Sequence, residues 1–91
     1  MIDKLTEEDL LAIEARCNAT QIGPWIAFIE GRNHFGGSSF ILTGQDSERG
    51  EDIEMIGATD ADFDFIANAK QDIPRLLCEI RRLWSEGQGN R

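Results

Sequence analysis

The chain has 91 residues, enough for one domain and too few for two, and at this size it buries about 60–65% of the surface its unfolded form exposes. Nine Lys and Arg against 17 Asp and Glu leave a formal charge of −8 with the one histidine neutral. That balance excludes general affinity for nucleic acid or an anionic membrane, because phosphate binding requires an electropositive face. Apolar residues at 41% and charged residues at 29% match a globular domain rather than a disordered tail. No apolar run approaches the ~20 residues of a membrane span, and the opening lacks the order of a signal peptide. Cys17 and Cys78 belong to no CxxC pair or Cys/His cluster, so they read as buried thiols of a cytoplasmic protein.

The first predicted element is a helix. Thr6 precedes Glu7, Glu8 and Asp9; its hydroxyl can accept from an early amide and Asp9 can return the bond, a variant of the capping box. Three acids in the first turn suit the positive end of the helix dipole. Leu10, Ile13 and Cys17 follow at helical spacing with Leu11 beside them. The helix fades over residues 18–20, and Gly23-Pro24 forbids its continuation.

The middle reads as three strands. Trp25-Ile26-Ala27-Phe28-Ile29 is apolar on both parities, the pattern of a strand covered on both sides. Gly31 to Gly37 connects it to Ser39-Phe40-Ile41-Leu42-Thr43. After a polar stretch from Gly44 to Gly50, residues 51–57 alternate, with Ile53 and Met55 on one side. Short strands joined by loops of this length predict an antiparallel meander.

The last third returns to helix. Thr59-Asp60-Ala61-Asp62 repeats the Thr-x-x-Asp start, and Phe63, Ile66 and Ala67 make an apolar stripe. Pro74 interrupts it. An interior proline costs about 3 kcal/mol, so the easier reading restarts the helix, with Asp72 as cap and Pro74 in the first turn. Leu76, Leu77, Ile80, Leu83 and Trp84 then form the densest apolar face, with Arg75, Arg81 and Arg82 around it. Arg81 and Arg82 are expected near the helix end, where they complement the dipole. The expected whole is a single α+β domain over residues 1–86 with a flexible tail at 87–91: a helix, a three-stranded antiparallel sheet and a second helix, either continuous or broken near Pro74. Two sheet edges in so short a chain lead us to expect a homo-oligomer. Trp84 suits such an interface or completes its own core.

Little in the sequence carries chemistry. His34 has no ligand cluster around it, and the acids at 60, 62 and 64 fan around a helix axis, so no metal or cofactor is expected. His34 with Ser38, Ser39 or either cysteine is only a nominal catalytic pair, and no Gly-x-Ser-x-Gly elbow is present; a non-enzyme is expected. The most suggestive segment is Gly31-Arg32-Asn33-His34-Phe35-Gly36-Gly37-Ser38-Ser39. Glycines let backbone N–H groups turn toward an anion, Arg32 can fork onto a phosphate, and an aromatic ring such as Trp25 can stack on a base. Trp25, Arg32, Asn33, His34, Gly36, Gly37 and Ser38 are therefore the candidate residues for a nucleotide-type ligand. The segment matches neither a P-loop nor a dinucleotide fingerprint, and a plain hairpin connection accounts for it as well. The acids are spread along all elements, which fits an ordinary solvated surface better than mimicry of nucleic-acid charge.

Asn18-Ala19-Thr20-Gln21-Ile22-Gly23-Pro24-Trp25 resembles the Ala-Thr-Pro-Gly-Pro-Trp signature of Ead-like small phage and prophage accessory proteins, with Gln21-Ile22 standing where the signature has a single proline. The opening Leu5-Thr6-Glu7-Glu8-Asp9-Leu10, the stretch from Asp62 to Ala69 and the stretch from Asp72 to Leu83 are similar to the beginning and ending those proteins share. The resemblance covers about half the chain. It implies a phage-borne accessory protein acting in the cytoplasm of the host bacterium by binding something. Two readings follow: sequestration of a nucleotide-type signal of host defence, or inhibition of a host protein by docking on it.

Overall fold

The computed structural model describes residues 4–89. Helix α1 (Glu7–Asn18) is followed by strand β1 (Trp25–Phe28), strand β2 (Phe40–Thr43), a single 3-10 turn (Asp46–Glu48) and helix α2 (Asp60–Gly89). The class is α+β, but the sheet is two-stranded and antiparallel rather than the expected three-stranded one. Residues 1–3 of the expected domain and 90–91 of the expected tail lie outside the described residues. The chain forms two compact units. One comprises Gln21–Gln71; the other takes the chain up to Thr20 and from Asp72 onward, so α2 contributes to both.

In the first unit, β1 and β2 pair Trp25 with Thr43, Ile26 with Leu42, Ala27 with Ile41 and Phe28 with Phe40. Ala27, Ile29 and Ile41 are buried against Phe63 and Ala67 of α2, with Trp25, Ile53, Met55 and Ala58 packed around them. This core covers only one sheet face. Ile26 points outward and is exposed, which corrects the expectation of a strand covered on both sides.

The third strand fails for a definable reason. Residues 51–57 meet β2 at one position only, where Ile41 and Ile53 exchange N–H···O bonds of 2.8 and 2.9 Å. On the near side, the backbone of Glu51 is taken by side chains: its N–H donates to Gln21 Oε1 (2.6 Å) and its carbonyl accepts from the Thr43 hydroxyl (2.8 Å). On the far side the chain turns at Gly57, whose φ of 82° suits glycine. The alternation of Ile53 and Met55 thus serves core packing without a ladder.

Helix α2 starts as the sequence predicts. Thr59 N–H donates to Asp62 (2.9 Å) and Asp62 N–H to the Thr59 hydroxyl (3.1 Å). It does not restart at Asp72: Pro74 lies inside one continuous helix. Burial on either side, of Phe63 and Ala67 before it and Leu77 after it, offsets the cost of an interior proline.

In the second unit, α1 is closed by the same device, with reciprocal bonds between Thr6 and Asp9 of 2.9 and 3.1 Å. Among the described residues Leu10 and Leu77 are its buried large side chains, and Arg81 reaches Glu14 at 3.2 Å. Because α2 runs on to Gly89, Arg81 and Arg82 lie a full turn or more inside it, and neither serves its end. Arg82 instead binds both Glu79 and Glu86, and its hydrogen bond holds the Glu79 carboxylate below the usual range. Cys17 is half-buried and Cys78 exposed, against the expectation that both are buried.

Thr43 is completely buried, and its hydroxyl holds the segment after the 3-10 turn. Thr43→Val keeps the shape and deletes that bond, leaving the Glu51 carbonyl without it. The expected cost is about 1–2 kcal/mol, read as a lower urea midpoint at unchanged slope. An unchanged midpoint would refute this role for the hydroxyl.

Candidate functional site

The loop between β1 and β2 is built on an aromatic base. Phe28 and Phe40 are partners across the ladder, and their rings stack with centroids 5.5 Å apart. The His34 ring lies 6.4 Å from the first and 5.7 Å from the second. Above this base the chain turns tightly: Arg32 and Asn33 donate to the Ile29 carbonyl (2.9 and 3.0 Å), and Gly31 donates to the His34 carbonyl (2.7 Å). That geometry puts Gly31 at φ 92°, where a Cβ is strained.

The polar side chains that suggested a binding site serve the loop itself. Asn33 Oδ1 accepts from the Ile29 N–H at 2.9 Å. His34 Nδ1 lies 3.0 Å from the Gly36 carbonyl, so Nδ1 carries the proton in that bond. Nε2 is buried and has no hydrogen-bond partner among the described residues. Glu30 accepts the Gly36 N–H on its carboxylate (3.2 Å) and donates its own N–H to Ser39 Oγ (3.0 Å). Arg32 forms an ion pair with Asp64 at 2.9 Å, and that hydrogen bond raises the guanidinium pKa further. Two carboxylates therefore occupy the donors that an anion would use.

Arg32, Asn33, His34 and Gly36 are brought together in this loop, with Gly37 and Ser38 exposed beside them. Trp25 is not among them. It stands at the other end of the ladder, three residues from Phe28, which is about 10 Å along a strand. There its N–H donates to Gln71 Oε1 (2.7 Å), its carbonyl accepts from Gln71 Nε2 (3.2 Å), and its indole N–H donates to the Gln21 carbonyl (3.1 Å). The Lys70 ammonium lies 5.8 Å from its ring centroid.

Sequence reasoning missed Glu30 and Asp64, which complete the loop, and the pairing of Phe28 with Phe40. The near-symmetric placement of these two rings about the loop was the available signal. It also missed how far some apolar side chains stand in solvent: Phe35 is 85% exposed, Phe65 75%, and Ile56 fully. Among the described residues no group of three or more His, Cys, Asp or Glu is placed to hold a metal ion, and no helix is long and apolar enough to cross a membrane. No protein-family model, curated protein or solved structure matches the chain.

If His34 is an architectural ring, shape matters more than its nitrogens. His34→Ala is expected to lower stability by about 1–2 kcal/mol through lost ring contact and the lost bond to Gly36. His34→Phe is expected to recover most of that in the same denaturation assay. Failure of phenylalanine to rescue would show that the imidazole nitrogens, not the ring, hold the loop.

Proposed function

We propose that this chain is a non-catalytic binding module that docks on another protein. The observation that carries this reading is the exposure of Phe35, Ile56 and Phe65. Keeping a large apolar side chain in water forgoes about 1.5–3 kcal/mol of burial, which a partner surface can supply. Acids adjoin these residues in sequence: Glu54 near Ile56, and Asp60, Asp62 and Asp64 ahead of Phe65. The complementary partner offers apolar hollows with basic groups around them. Taken with the resemblance to Ead-like accessory proteins, the partner is a host protein, and docking on it antagonises a host process or an anti-phage defence.

Sequestration of a nucleotide-type signal has less support. Arg32 is engaged by Asp64 and the Gly36 N–H by Glu30, so a phosphate would have to displace carboxylates inside a chain of charge −8.

The test is photo-crosslinking with a benzoylphenylalanine at position 35 or 65 in the bacterial host, followed by affinity measurement on the captured protein. Phe35→Ser combined with Phe65→Ser is expected to weaken that binding by at least ~10-fold while leaving the melting temperature unchanged, since both rings are exposed. Equal binding by the double variant would overturn the reading. So would stabilisation by a nucleotide, which at 100-fold over Kd amounts to about 2.7 kcal/mol.

A further inference from the structure

The loop between β1 and β2 closes around the His34 ring and leaves one of its nitrogens without a bond. Nδ1 is committed to the Gly36 carbonyl at 3.0 Å, and a carbonyl only accepts, so that bond uses a proton on Nδ1. Nε2 is buried and meets no partner among the described residues. In a neutral imidazole this atom holds a lone pair; in a charged one it carries a second N–H. A buried N–H without an acceptor is far more costly than one left in water. From β1 and β2 the ring meets Phe28 and Phe40, whose side chains hold no acceptor atom. The charged groups tied to this loop are Glu30 and Arg32 within it and Asp64 of α2. Arg32 and Asp64 offset one another at 2.9 Å. Glu30 and the phenyl faces attract a positive ring, but the Glu30 carboxylate is turned to the Gly36 N–H at 3.2 Å, and none of these groups reaches Nε2. Opening the loop supplies the missing acceptor, which is water.

We infer that His34 is a proton-operated latch on the loop: the neutral ring holds it closed, and uptake of a proton at Nε2 opens it. The closed form binds fewer protons, so lowering the pH through the imidazole range shifts the loop toward the open form and raising it restores the closed one. The opening is local. The bonds from Gly31 N–H to the His34 carbonyl (2.7 Å) and from Gly36 N–H to Glu30 (3.2 Å) flank the ring and are released with it. The bonds between Ile41 and Ile53 lie away from the loop and are kept. Gly36 and Gly37, at φ 86° and 83° and with open space where a Cβ would stand, provide a hinge just past the ring. Phe35, 85% exposed, sits between latch and hinge, so its position follows the charge on His34. The consequence for docking rests on the function proposed above: Phe35 is presented in one fixed position above the imidazole range and is released from it below.

The test is an NMR titration of the full chain from about pH 8 to about pH 5. The ring nitrogen shifts report the charge on His34. Hydrogen-exchange protection of the Gly31 and Gly36 amides, taken relative to the unstructured rate at each pH, reports the loop. That protection is expected to fall at least ~10-fold with the same midpoint as the ring, while Ile41 and Ile53 keep theirs. His34→Phe is expected to stay closed across the range. A ring that charges while the loop stays protected overturns the proposal, as does a ring that takes up no proton over the range. Opening that persists in His34→Phe overturns it too, and assigns the pH dependence to Glu30 or Asp64. If His34→Phe does not fold, the agreement or disagreement of the two wild-type midpoints decides. Docking is read separately: a benzoylphenylalanine at position 35 that captures no protein at either end of the range counts against docking and leaves the latch standing.

Discussion

A two-stranded sheet cannot satisfy its own outer backbone, and the first unit depends on where those N–H and C=O groups go. Each strand has one edge paired and one edge open. In this chain the open edges are closed by single residues instead of strands. Gln71 projects from α2 and makes both bonds of a strand neighbour to Trp25, accepting from its N–H and donating to its carbonyl. On the other edge Ile53 pairs with Ile41, and the Thr43 hydroxyl and Gln21 amide take the backbone of Glu51. Side-chain amides can stand in for peptide groups because they carry the same donor and acceptor. The arrangement has little tolerance for added bulk: a Cβ at Gly50 would press on Gln21 Oε1 and lie 2.7 Å from Thr43 Oγ1.

This substitution explains which parts of the fold the sequence discloses. Capping boxes are local, so Thr6-x-x-Asp9 and Thr59-x-x-Asp62 locate both helix starts from four residues each. The stop at Gly23-Pro24 is equally local. The third strand was misread because alternation reports which side chains face a core, not whether the backbone is in a ladder. Ile53 and Met55 face the core and still leave residues 51–57 with one bridge. What decided the matter was Gln21, thirty residues away, and nothing in its neighbourhood marks it. Pro74 was misread for a related reason. The local rule weighs one lost hydrogen bond, whereas the burial of Phe63, Ala67 and Leu77 belongs to contacts made at longer range.

The candidate site shows the same limit. A glycine-rich segment with Arg, Asn, His and Ser has the ingredients of an anion site and equally those of a self-bonded turn. The difference lies in whether acids from elsewhere reach it first. Glu30 is adjacent and could have been weighed; Asp64 comes from another element, and its approach to Arg32 is a property of the fold. In this acidic chain Arg32, Arg49, Arg81 and Arg82 each find a carboxylate. A positive group so paired must be released before it can bind a phosphate.

The distribution of exposed apolar residues follows from the same economy of chain. Each unit has enough residues to bury one stripe and too few to cover a second. In the first unit the surplus includes single side chains on turns, Phe35 and Ile56, and at the start of α2, Phe65. Such positions are isolated by sequence and cannot form a long packed seam, so they fit contact points for a differently shaped partner. In the second unit the surplus lies on both helices, with Leu11 on α1 and Leu76 and Leu83 on α2.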